Sequence, residues 1–255
     1  MNSPSTGDRE AADAAWPSGP LIRPAAWEVM VQAWPGRGLR RSTIRRRRSM
    51  VAELAAQGWV DAAGRFSGQA REVLPAAANP TSTWYATGRH QGLTSDVRIY
   101  GGSEECTLSV GPDAATLRGA SGDHAPVPGA ELPVSIRRLD AREVPTLLCA
   151  WAGVRPGTPP VERRLELPVP VFTARAHGAA GSPPHEFENA HELWNDDWFV
   201  WDVVTPSGSE HGFIGTVDNG NFAFGHVASA GVPMIRLVPM RSGEIWRILE
   251  AAQQI

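Results

Sequence analysis

A chain of 255 residues, 42% hydrophobic and 20% charged, has enough apolar material for a packed core in one large domain or two small ones. No run approaches the roughly 18 apolar residues that a membrane-spanning helix needs, and the N-terminus is polar and acidic where a secretory signal is basic and then apolar. Every one of the 24 basic residues is Arg, so chemistry that needs a lysine, Schiff-base formation or a phosphate-binding P-loop, is excluded.

Residues 1–20 are rich in Ser, Pro, Ala and Gly without apolar period and read as a disordered leader. Pro24 is a good first helical residue. Trp27, Met30, Val31 and Trp34 follow at helical spacing, and Pro35-Gly36 ends that helix. A second helix is expected over 43–57 on the stripe Ile44, Met50, Val51 and Leu54, with Gly58 as its C-terminal cap. A third is expected over 67–77 on Ala70, Val73, Leu74 and Ala77.

After Asn79-Pro80 the period changes to two. The runs TSTWYAT, SDVRIY, CTLSV and ATLRG, separated by turn residues, read as an antiparallel meander. A Gly- and Pro-rich linker over 119–133 leads to a helix over 141–151, and a second Pro-rich stretch covers 153–170. The last third repeats the pattern. A helix over 184–195 precedes strands over 198–205, 212–218, 221–227 and 234–238, then a closing helix over 242–252. Asn219-Gly220 between two strands signals a type I′ hairpin. The expected fold is therefore α+β: a pseudo-duplicated central antiparallel sheet flanked by N-terminal and C-terminal helical bundles, one domain over 21–255 in two similar halves, about 21–130 and 131–255.

The motifs that could carry chemistry fail on spacing. In the segment from His185 to Glu192 the second histidine, His191, falls six residues after the first, whereas a zinc-binding HExxH needs both imidazoles one helical turn apart. Glu188 and His191 share a face, but no second ExxH accompanies them, so no metal is expected. The run Gly119-Ala120-Ser121-Gly122-Asp123 puts Asp where a nucleophile elbow needs Gly. Gly36-Arg37-Gly38 does not complete a dinucleotide-binding GxGxxG. Cys106 and Cys149 lie in apolar contexts and read as small buried hydrophobes. No catalytic residue, cofactor or metal is assigned, and the chain is expected not to be an enzyme.

Charge is unevenly spread. Between Arg37 and Arg48 lie seven arginines and no acid, whereas 176–235 holds eight Asp or Glu and no Arg. The Arg-rich stretch reads in two ways: as a winged-helix unit gripping phosphates, or as a solvated surface whose arginines pair with the acidic C-terminal half. Trp194, Trp198 and Trp201 stand among acids and Asn195, a setting that suits interface anchors as well as core.

Taken together, these features resemble the EspG family, the cytosolic chaperones of type VII (ESX) secretion. The resemblance spans roughly 22–252 and lies in pattern: RSMVAELAAQGWVDAAGRF, the helix GQAREVLPAAANP, the strands TSTWYA and SDVRIY, and the ending GTVDNGNFAFGHV…MIRLVPMRSGEIWRILEAA. The Arg run at 45–48 and the Pro-rich 153–170 depart from the family pattern. The resemblance implies a cytoplasmic, non-catalytic chaperone that binds the helical tip of a PE–PPE-like heterodimer and keeps it soluble for export. The positions it implies for contact are Gly101, Gly102, Ser103 and Glu104, to which the acidic-aromatic reading adds Trp194 and Trp198. Nucleic acid is not expected as a partner on this reading; the alternative is a DNA-binding regulator using the Arg-rich N-terminal helices.

Overall fold

The computed structural model describes residues 21–34, 36–101, 105–120, 131–155, 164–179, 181–187, 190–229 and 231–253. The expected leader over 1–20 lies outside them.

The alternating segments form one ten-stranded sheet, antiparallel at every pairing, in the order β1-β5-β4-β3-β2-β7-β8-β9-β10-β6. Its strands are β1 (Leu21–Ile22), β2 (Ser82–His90), β3 (Leu93–Gly101), β4 (Glu105–Val110), β5 (Val134–Asp140), β6 (Leu165–Pro168), β7 (Phe199–Val204), β8 (Glu210–Gly215), β9 (Asn221–Ser229) and β10 (Val232–Met240). The order is symmetric about the β2–β7 seam. On each side a four-strand meander runs outward, and the strand that precedes it in sequence pairs with its outermost member. The sheet repeats in the way the sequence suggested, with β5 at the outer end of the first meander and the helix over 144–151 following it.

The helices are α1 (Pro24–Ala33), α2 (Arg41–Arg46), α3 (Arg48–Ala56), α4 (Gly68–Ala78), α5 (Ala114–Gly119), α6 (Val144–Trp151), α7 (Val169–Ala176), α8 (His191–Asn195) and α9 (Ser242–Gln253). Each meander ends in a helix, α6 or α9, and these two pack together over one face of the sheet. Val144, Leu148, Trp151, Ile245 and Leu249 meet Trp84, Val97, Leu108, Phe199 and Trp201 there. Gly88 makes that packing possible, because a Cβ at this position would lie 2.2 Å from the Phe199 ring and 2.9 Å from Trp151. The opposite face carries two separate clusters. Helices α1–α4 bury Trp27, Met30, Leu54, Trp59 and Leu74 against β5, and α7–α8 bury Phe172, Phe187, Trp194 and Trp198 against β7–β10.

Several local expectations change. The helix expected over 43–57 is two helices broken at Arg47 (φ −125, ψ 47); a continuous helix would stack Arg41, Arg45 and Arg48 on one side. ATLRG is the helix α5 and not a strand, because the Asp113 carboxylate accepts from Thr116 N at 2.7 Å and caps it. The helix expected over 184–195 is a single 3₁₀ turn (His185–Phe187) and the short α8, with 188–189 outside the described residues. The two-residue hairpin with both φ positive is Gln91-Gly92 (46° and 81°) between β2 and β3. Only Gly220 has positive φ in the wider β8–β9 turn, so Asn219-Gly220 is not type I′. Strands β1, β5 and β6 and helix α7 are additions to the sequence reading.

Candidate functional site: the open face of the central strands

Between the two helix clusters, the central strands are left uncovered on one face. Strand alternation decides what is displayed there. Trp84, Ala86, Val97, Trp201 and Val203 point to the α6–α9 side and are buried, so Tyr85, Thr87, Arg89, Asp96, Arg98, Asp202 and Val204 point the other way. Register sets them side by side: Asp96 pairs with Thr87 and Thr87 with Asp202 across the seam, while Arg98 pairs with Tyr85 and Tyr85 with Val204. The result is a shallow trough of about 440 Å³ over β2, β7, β8 and β9. A second hollow of about 200 Å³ lies where β3 and β4 run under α1.

The trough is polar and held by its own bonds. Tyr85 Oη and Thr87 Oγ1 both donate to Asp96 Oδ1, at 3.2 and 3.0 Å. Arg89 donates to Asp202 Oδ2 at 2.6 Å. The Arg98 guanidinium lies 5.5 Å from the centre of the Tyr85 ring and 3.6 Å from Glu28 of α1. Burial lowers the pKa of Arg98, but nearby Tyr100, Tyr85 and Asp96 outweigh it and leave the group raised and charged. The Arg89 and Asp202 side chains remain 37% and 39% exposed, and Tyr85 is 37% exposed. These are groups fixed in place with one side open to a partner.

The acidic segment before β7 is built differently. The Asp196 carboxylate accepts five hydrogen bonds: from the backbone of Asp197 (2.6 Å), Val217 (3.1 Å), Asp218 (3.0 Å) and Asn219 (3.0 Å), and from Asn219 Nδ2 (2.6 Å). Burial pushes its pKa up, but the hydrogen bonds from Asn219 and the backbone outweigh that, and the group sits below the ordinary Asp value. Arg175 of α7 donates to the carbonyls of Trp194 and Asp196 and lies 5.1 Å from the Trp198 ring centre. Arg118 of α5 donates to the carbonyls of Gly215 (2.9 Å) and Asp197 (3.3 Å). His90 and Gln91 of the β2–β3 turn approach Asp197 at 3.5 and 3.4 Å. The segment ties α5, α7 and two turns to the start of β7.

Trp194 and Trp198 therefore do not face outward. They are 4% and 2% exposed, their rings meet at 6.0 Å, and their indole N–H groups donate to the carbonyls of Gly181 and Leu193. The reading of these two rings as anchors for a partner is corrected: the Asp196 carboxylate is consumed by internal hydrogen bonds and the indole N–H groups have carbonyl partners, which lets the rings pack in the core. Trp201 is fully buried as well. Of the β3–β4 contact positions, Gly101 ends β3 in a crowded place, where a Cβ would meet Cys106 Cα at 2.7 Å. Gly102, Ser103 and Glu104 lie outside the described residues, as does Ser121.

Among the described residues, no group of three His, Cys, Asp or Glu could hold a metal. Burial pushes Cys149 up to about 12 and raises Cys106 too, which suits packing and not nucleophilic attack. No described helix is long and apolar enough to cross a membrane.

The trough residues were absent from the sequence reading. Their signal was there, in the polar alternation of TSTWYAT, SDVRIY and WDVV: strands covered on both faces are apolar throughout, so Thr87, Arg89, Asp96 and Asp202 mark an uncovered stretch.

No family model matches the chain, and no curated protein matches it. Among solved structures, the chain is similar to the type VII secretion system chaperone EspG5 of Mycobacterium tuberculosis, solved in complex with a PE25–PPE41 dimer. The identity is 9%, the TM-score 0.48, and the match covers 91% of this chain and 94% of that one.

Proposed function

We propose that the chain is a cytoplasmic, non-catalytic chaperone of type VII secretion that binds the helical tip of a PE–PPE-like heterodimer across the open face of its central sheet. The observation that carries this reading is the trough. It is a face flanked by two helical clusters and lined by the Tyr85 and Phe224 rings, of which Tyr85 stands exposed among charged groups already fixed by internal bonds. Groups ordered in advance cost little further conformational entropy when a partner arrives. An exposed aromatic inside a polar rim is the arrangement from which interface hot spots are drawn. The sequence pattern that resembles the EspG family supplies the chemical class of the partner, and positions 101–104 are a second contact region on this reading. No cofactor is needed.

The test is calorimetric titration of the full chain with purified PE–PPE heterodimers, with light scattering of the heterodimer alone and mixed. Expected are a stoichiometric complex, suppression of heterodimer aggregation, and loss of both when the PPE tip is replaced by a polar linker. Binding that survives replacement of the tip would overturn the proposal.

A further inference from the structure

The arginines between Arg37 and Arg48 have a setting the sequence did not show. The expected pairing with the acidic C-terminal half is not found. Helices α2 and α3 belong to the cluster at the β5 end of the sheet, whereas Asp196 and Asp197 are held by their own partners beyond β7. All seven arginines are exposed, and among the described residues none of them forms an ion pair. The nearest acids in sequence are Glu28, which faces Arg98, and Glu53, which is bonded to Arg23 at 2.7 Å. Seven exposed positive charges with no acid paired to them among the described residues repel one another and attract anions.

The backbone that carries them has a definite order. Helix α1 is followed by a short extended piece, then α2 and α3, then a hairpin over 59–67. Bridge Val60↔Phe66 closes the hairpin, and bridge Gly38↔Arg65 ties the extended piece to its return arm, with Leu39 N donating to Gly64 O at 2.8 Å and Phe66 N to Arg37 O at 3.1 Å. Helix, strand, two helices and a hairpin paired to that strand is the order of a winged helix. Here the connection between the two helices is the single residue Arg47. Between α1 and α2 lies a cleft of about 400 Å³ lined by Gln32, Arg40, Ser42, Thr43, Arg46 and Arg47, which are donors suited to phosphate oxygens.

We propose that this N-terminal unit binds the phosphate backbone of duplex nucleic acid without regard to sequence. Helix α3 exposes Arg48 and Ser49 at its first turn and, beyond them, only Ala52 and Ala56, whose methyl groups cannot hydrogen-bond a base edge, so base readout is confined to one end of the helix. The patch also lacks the exposed apolar side chains with which a membrane-surface helix inserts, since Leu39, Met50 and Val51 are buried and Ile44 is partly covered. The proposal rests on the N-terminal end alone and is independent of the chaperone role.

The experiment is fluorescence anisotropy of the full chain with labelled duplexes of two unrelated sequences, at salt concentrations from about 50 to 200 mM. Expected is binding to both with similar affinity, falling with salt at a log–log slope of about −4, near 0.9 per phosphate contact. The double variant Arg46→Gln/Arg47→Gln should reduce the magnitude of that slope by about 2 while its circular dichroism melt stays unchanged. Absence of binding at the lowest salt, an unchanged slope in the variant, or a preference above about tenfold between the duplexes would overturn the proposal. So would tighter binding to phosphatidylglycerol vesicles or to polyglutamate than to either duplex, since the surface would then serve a membrane or an acidic protein.

Discussion

Asp196 and Asp202 stand six residues apart at the start and in the middle of the same strand region, and the protein holds them in opposite ways. Asp196 is 8% exposed and accepts five hydrogen bonds, so every lone pair has an internal donor. Asp202 accepts from Arg89 alone among the described residues, and its side chain is 39% exposed. A carboxylate satisfied from all sides is structural: it fixes a turn and has nothing left to offer. One bonded on a single side is fixed in position yet still available. The same contrast separates the buried Trp194–Trp198 pair from the exposed Tyr85.

The largest effect should come from the closed region. Trp198→Ala removes a ring that is 2% exposed, its N–H bond to Leu193 and the contact with Arg175. The cost expected for a buried aromatic truncation is about 3–5 kcal/mol, read as a lowered midpoint in urea unfolding. A loss below about 1 kcal/mol would put the ring at the surface and erase its difference from Tyr85.

Asp196→Asn comes next. The amide keeps one acceptor oxygen and turns an N–H toward backbone donors, so a loss of about 2 kcal/mol is expected at pH 7. Its pH dependence has a definite sign. The folded pKa is lowered, so the carboxylate's contribution is present above the unfolded value of about 3.9 and is lost as pH falls through the folded value. The native protein should therefore lose stability on acidification below about pH 4, and the variant should lose less over that interval. Parallel acid losses in the two would show that the hydrogen bonds do not depend on the charge.

Tyr85→Ala should behave in the opposite way. The ring is 37% exposed, hydrogen-bonded through its hydroxyl and flanked by the Arg98 guanidinium, so its removal is expected to change stability by less than about 1 kcal/mol. Binding of a PE–PPE heterodimer should weaken by tenfold or more, about 1.4 kcal/mol. Unchanged affinity would move the partner off the trough.

Much of this fold was legible in the sequence because period and punctuation are local. The switch from period 3.6 to period 2 at Asn79-Pro80 marked the first meander, and the stripe Ile245, Ile248 and Leu249 marked α9. What escaped depends on distant chain. Strand β5 sits beside a Gly- and Pro-rich linker and is defined by pairing with β4 and with β1, which has two residues. Strand β6 hides in a Pro-rich stretch and exists because β10 offers it an edge. The two rings Trp194 and Trp198 were misread as exposed for the same reason. Asp196, Asp197, Trp194 and Trp198 look exposed when only sequence neighbours are counted, and their partners Arg175, Asn219, Arg118 and His90 come from elsewhere in the chain. Conversely, Arg89 and Asp202 are 113 residues apart and meet only through the β2–β7 seam.

The smallest effect belongs to that pair. Arg89 and Asp202 bond at 2.6 Å, but with each side chain more than a third exposed, water and salt screen the charges. A double-mutant cycle of Arg89→Gln and Asp202→Asn should give a coupling of about 0.2–1 kcal/mol in stability, shrinking as salt is raised. The same cycle read in partner binding should give a larger coupling, because a partner seated on the trough expels the water that screens the pair. Equal couplings in the two readouts would mean that water remains over the pair in the complex. In that case the partner would rest on the flanking helices and not on the sheet, and the open carboxylate would be as structural as the closed one.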